Sequence, residues 1–183
     1  MQHMRIFGGI LMCLCILTFF SLAENKYIGV SKCKTCHTVE KLGGLAYKVW
    51  EKSGHAKAYQ TLLGDEAKKI AKEKGLKVAP NEAAECLKCH VPGGGTAKNV
   101  DASFKKEDGV SCEACHGPAS GYLMLHNKKS DADKAKAKTA GFVKLVKEEK
   151  SCTTCHNSDS PKFKGFKFEE MWAKIEHKLP PKK

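Results

Sequence analysis

Four copies of one five-residue pattern constrain this chain more than any other feature. Cys33-Lys34-Thr35-Cys36-His37, Cys86-Leu87-Lys88-Cys89-His90, Cys112-Glu113-Ala114-Cys115-His116 and Cys152-Thr153-Thr154-Cys155-His156 each set two thiols three residues apart and follow them at once with a histidine. That spacing suits covalent haem attachment. Two thiols must reach the two vinyl groups on one porphyrin edge, and the next residue must turn its imidazole onto the iron. A short helical turn does both. Of the ten cysteines, Cys13 and Cys15 lie in an apolar N-terminal run, and the other eight are all used by the four motifs. Zinc sites, disulfides and thioredoxin-like dithiols also use paired cysteines. A histidine after every pair, with no cysteine left over, favours four covalently bound haem c groups over all three.

The histidine count adds a constraint that holds for any fold. Eight histidines, less His3 near the N-terminus and the proximal candidates His37, His90, His116 and His156, leave His55, His126 and His177. Three spare histidines cannot serve four irons, so one iron takes methionine, lysine or water, or stays open. Met124 and Met171 are the methionines beyond residue 23. Both sit among apolar neighbours and read as gap-filling side chains rather than ligands. His55 lies in Ser53-Gly54-His55-Ala56-Lys57-Ala58, where small residues admit a flat ring, Ser53 suits a helix start and Trp50 and Tyr59 can wall the site. His126 follows Tyr122 by four residues, and His177 closes an amphipathic helical pattern over Phe168–His177.

The chain opens with Arg5, an apolar run over 6–20 and Ser21-Leu22-Ala23. This predicts a signal peptide over 1–23, an exported single domain over 24–183, and a periplasmic protein with no stable membrane span after cleavage. The run is short of the roughly twenty residues a span needs, which weighs against a retained anchor. The formal charge of +12 includes one arginine, Arg5, so the rest of the chain carries +11. Two propionates on each of four haems would leave roughly +3. The lysines are scattered without interleaved aromatics, which argues against nucleic acid and leaves redox partners, acidic ones among them, as the expected company. The sequence is silent on oligomeric state.

Large apolar residues are few and clustered, and the motifs begin at 33, 86, 112 and 152 without a fixed repeat length. Helical patterns dominate. Asp65–Lys74 reads as a helix stopped by Gly75, Asn81 and Ser111 as caps for the helices entering the second and third motifs, and Lys134–Lys150 as a solvated helix broken near Gly141. The Gly-rich stretch after His90 reads as a loop. The expected fold is mainly α: a small helical shell around a compact cluster of four haems, with little or no sheet.

The four motifs, the segment Ser53–Ala58, and Gly109–Pro118 with His126 downstream resemble the tetrahaem cytochrome c-554 family over roughly 27–179. The resemblance implies three bis-histidine haems, with His126 opposite His37, His55 opposite His116 and His177 opposite His156, and a five-coordinate haem at His90. It also implies a periplasmic electron carrier. Three functions stay open: an electron-transfer relay with no catalytic residue, reduction of nitric oxide or another small nitrogen oxide at the five-coordinate haem, and a subunit of an extracellular haem wire.

Overall fold

The computed structural model describes residues 24–95 and 97–177. The expected signal segment lies outside them. Ten short helices follow one another: α1 Val30–His37, α2 Glu40–Gly43, α3 Ala46–Glu51, α4 Ala58–Thr61, α5 Asp65–Glu73, α6 Ala84–His90, α7 Glu113–His116, α8 Asp131–Thr139, α9 Lys150–Thr153 and α10 Phe168–Ile175. Single 3-10 turns at His55–Lys57, Pro92–Gly95, Ala97–Asn99 and Lys106–Asp108 fill some of the gaps. Among the described residues the β-structure is one isolated parallel bridge between Tyr27 and Val100, and no helix is long and apolar enough to cross a membrane. The fold is mainly α, as the sequence predicts.

Residues 25–29 form a strap bonded to several distant parts of the chain. The Tyr27 N–H donates to Asn99 at 2.9 Å and the Asp101 N–H donates to Tyr27 at 2.8 Å, while the Lys26 N–H donates to Ser120 Oγ at 2.7 Å. Asn25 Nδ2 donates to the Ala140 carbonyl at 2.9 Å, and Ser103 Oγ donates to the Ile28 carbonyl at 2.7 Å. The strap runs directly into α1, so it fixes the first motif against the loops around the third. Around it Ile28, Ala119, Tyr122 and Ala137 form one small core; Tyr59, Leu62, Leu87 and Val91 form a second, behind the second motif.

These cores are slight. Among the described residues eleven hydrophobic side chains are buried, and four of them are alanines. Leu42, Leu63, Val78, Val146 and Met124 stay exposed. Alanine burial removes little apolar area, and burial of apolar area is the main favourable term in folding. This chain cannot be held by its own side chains at the level usual for its length.

Several local expectations are corrected. Ser53 does not cap the next helix; its hydroxyl donates back to the Trp50 carbonyl at 2.7 Å. Asn81 reaches the Tyr59 hydroxyl at 3.4 Å rather than capping α6, and Ser111, which is buried, gives α7 no side-chain cap. The lysine-rich helix starts earlier and ends sooner than 134–150. Ser130 Oγ accepts from the Asp133 N–H to start α8, and the chain leaves the helix at Ala140 and Gly141. Tyr59 belongs to the second core. Met124 and Met171 are both exposed, so neither fills a gap.

Gly109 has a left-handed φ of 68°, and a β-carbon there would stand 2.5 Å from the His55 carbonyl and 3.1 Å from the Ala58 nitrogen. Gly109→Ala combines an unfavourable φ with a backbone clash, so we expect a loss of about 1–3 kcal/mol. Denaturant unfolding of the mature protein should show a lower midpoint with an unchanged slope.

Candidate haem-binding site

Each motif ends or lies at a short helix: α1 carries Cys33, Cys36 and His37; α6 carries Cys86, Cys89 and His90; α7 follows Cys112 and carries Cys115 and His116; α9 carries Cys152 just before Cys155 and His156. The helical turn puts both thiols and the imidazole on one side. All eight motif cysteines are free, and among the described residues no three His, Cys, Asp or Glu side chains gather as a metal-ion site.

The thiols meet between motifs. Cys33 is within hydrogen-bonding reach of Cys112, and this contact, more than burial, pushes the Cys33 thiol far up and pulls Cys112 down. Burial, then a bond with Cys155, pushes Cys89 up to about 11. Burial, then the nearby Cys152, Cys112 and Cys155, pushes Cys115 up to about 11. The first motif thus adjoins the third, the second adjoins the fourth, and the third lies near the fourth.

The histidines form pairs. Ring centres of His37 and His126 are 6.1 Å apart, those of His55 and His156 6.0 Å, and those of His116 and His177 5.9 Å. An imidazole nitrogen binds a metal at about 2 Å, and its ring centre lies a little over 1 Å further, so two imidazoles spanning one iron have centres roughly 6 Å apart. All three pairs have that spacing. His90 pairs with no other histidine ring among the described residues; its Nδ1 instead bonds the Ala58 carbonyl at 2.6 Å.

Two of these pairs differ from the expectation drawn from resemblance. The His37–His126 pair is found as expected, but His55 stands beside His156 and His177 beside His116, so the last two partners are exchanged. The reason is tertiary. The turn bearing His55 is followed by α4, which packs on α6 of the second motif, and the second motif adjoins the fourth; α10 packs on α3 and leaves His177 near the third motif. The order of histidines along the chain carries no such information.

Tautomers are set by the backbone. Nδ1 of His37, His116, His126 and His177 bonds the carbonyls of Gly43, Val143, Leu123 and Ile175 at 3.1, 2.9, 2.9 and 3.1 Å. A carbonyl only accepts, so Nδ1 carries the proton and Nε2 presents its lone pair. Burial holds His37, His55, His116 and His156 below the ordinary histidine range, in the neutral form that coordinates metal. Tyr122 and Phe142 wall His126, and Phe166 stacks on His156 at 4.7 Å.

The side chains fit haem. The small cores, the exposed apolar residues and the paired imidazoles are what a chain built around large flat apolar cofactors requires. The indole N–H of Trp172, in α10 five residues before His177, is buried without a partner among the described residues. It is a donor only, and a haem propionate would be a matching acceptor.

A helical chain whose paired thiols and adjacent histidines are presented for covalent haem is a c-type cytochrome, an electron-transfer protein. The family model for cytochrome c554 and c-prime matches residues 32–117. Over 158 residues the chain is 30% identical to cytochrome c-554 of Nitrosomonas europaea, an overlap covering 79% of this chain and 64% of that protein. This chain belongs to the cytochrome c-554 family. It spans less than two thirds of that relative's length, and no solved structure matches it significantly.

Proposed function

We propose that the chain is an exported, periplasmic tetrahaem relay. Cys33 and Cys36, Cys86 and Cys89, Cys112 and Cys115, and Cys152 and Cys155 hold the four haems. His37 with His126, His116 with His177 and His156 with His55 are the axial pairs, and His90 is the single protein ligand at the second motif. The observation that carries this reading is the set of three histidine pairs at 5.9–6.1 Å beside one proximal histidine without a partner.

Haem iron supplies a reversible one-electron change. The chain supplies position. Backbone carbonyls orient the imidazoles, so little has to move when the electron count changes. The thiol contacts between motifs place the second beside the fourth, the fourth near the third and the third beside the first, so haems held there would be ordered second, fourth, third, first. Exposed lysines line the outside and suit an acidic redox partner. The lone His90 favours a second reading, in which the open position admits nitric oxide or another small nitrogen oxide. The loop after His90 does not decide between them: it turns back, with Gly93 against the Tyr27 ring and Gly95 over Leu87.

Intact mass of the mature protein should equal residues 24–183 plus four haems; two or fewer from a competent maturation host defeats the reading. Electron paramagnetic resonance of the ferric protein should show three low-spin haems and one high-spin haem. His126→Ala should open the first-motif haem, His177→Ala the third and His55→Ala the fourth. Loss of low spin at the third haem on changing His55 would restore the pairing expected from resemblance. Reduction by an acidic partner should slow as salt rises, because exposed charges are screened over about 10 Å at 0.1 M; a flat rate would leave the lysines no docking role. Single-turnover mixing of the reduced protein with nitric oxide separates carrier from reductase: reoxidation with turnover favours the enzyme.

A further inference from the structure

Glu113 lies between the two thiols of the third motif and is 1% exposed. Its Oε1 accepts N–H bonds from Ile28 at 2.9 Å and Ala119 at 2.8 Å, and its Oε2 accepts from Gly29 at 2.8 Å and Ile28 at 3.1 Å. Among the described residues its side-chain partners are all backbone N–H groups. Each oxygen faces two donor contacts and no acceptor, so an added proton would have nothing to bond. The site is built for the carboxylate form. Burial raises the carboxyl on balance, against the opposing pull of the Ile28, Ala119 and Gly29 N–H groups; the donor-only geometry is what favours the carboxylate.

This anion sits where the first and third motifs meet. Glu113 follows Cys112 directly, and the strap it grips, Ile28 and Gly29, leads into the helix of Cys33. Cys33, raised first by its bond to Cys112 and then by burial, is raised further by the Glu113 charge, and Tyr122, raised mainly by burial, also feels that charge.

We propose that Glu113 is a fixed buried anion that lowers the reduction potentials of the haems at the first and third motifs while clipping those motifs together. Ferric haem carries one more positive charge than ferrous haem, so a nearby anion favours the ferric state. A unit charge about 10 Å away, at an effective dielectric near 20, shifts such an equilibrium on the order of tenfold. Because the charge is buried, salt screens it little. Glu113 is a positioning residue: its carboxylate bonds backbone N–H groups and none of the histidines.

The inference rests on the tetrahaem reading, and the test keeps the two apart. Haem content is measured first, on the wild-type protein and on Glu113→Gln, which keeps the shape and removes the charge. Nuclear magnetic resonance redox titration then follows each haem. With four haems attached, the variant should become about tenfold more ferrous at the first and third haems at a fixed potential, an upward shift of about 59 mV for one electron. The fourth haem should move far less. Unmoved first and third haems, or equal shifts at all of them, overturn the inference. Fewer than four haems in the wild type overturns the tetrahaem reading instead. Should the variant not mature, reduced-minus-oxidised infrared spectra of wild-type protein with isotopically labelled glutamate decide. A labelled carboxylate band that shifts with haem oxidation supports the inference, and a labelled protonated-acid band overturns it.

Discussion

Paired imidazoles about 6 Å apart dictate how this chain is laid out. Each pair joins a motif histidine to a residue elsewhere in the sequence: His37 to His126, His156 to His55, His116 to His177. Such pairs cross the molecule, and with an iron bound between each, as proposed, they would do the long-range work that a sheet or a large apolar core does in other folds. The helices need only be long enough to present one motif or one histidine, and all ten among the described residues are four to nine residues long. Isolated helices this short are not stable in water. Their persistence depends on what they jointly hold.

The second organising element is the strap. Its backbone bonds the loops at 99–103 and Ser120 and one carboxylate, and the Asn25 side chain reaches the Ala140 carbonyl across 115 residues of sequence. Hydrogen bonds from backbone N–H groups to an ionised acceptor are stronger than neutral ones. A buried carboxylate without a basic partner is costly unless its donors are complete. Here they are complete, which makes the contact between the strap and the third motif rigid as well as charged.

Much of this was legible in the sequence. The motifs announced their chemistry because thioether formation and axial ligation demand fixed spacing, and subtraction of histidines left one motif without a partner. Helical character and the absence of an extended sheet followed from patterning. Ser53 and Asn81 misled because a hydroxyl or amide near a helix start has several partners within reach: the local Trp50 carbonyl took Ser53 and the distant Tyr59 hydroxyl took Asn81, while Ser111 is buried without capping. The exchange of His55 and His177 was illegible, since pairing depends on how the chain crosses itself. Glu113 was missed for a related reason. One glutamate inside a motif looks like a solvated residue, and only the neighbouring glycines at 109 and 117, both at positive φ, hinted that the backbone closes tightly there.

The strap also governs the order in which the molecule can form. Residues 25–29 lie early in the chain, yet their partners lie at 99–103, 113–120 and 140, so this segment has nothing to bind until about seventy further residues have followed it. Contacts of such long sequence separation close slowly. The first motif is accordingly accessible until the third has formed. On the exported tetrahaem reading proposed above, the chain would meet its modifying machinery open, one motif after another, and would close around its cofactors at the end.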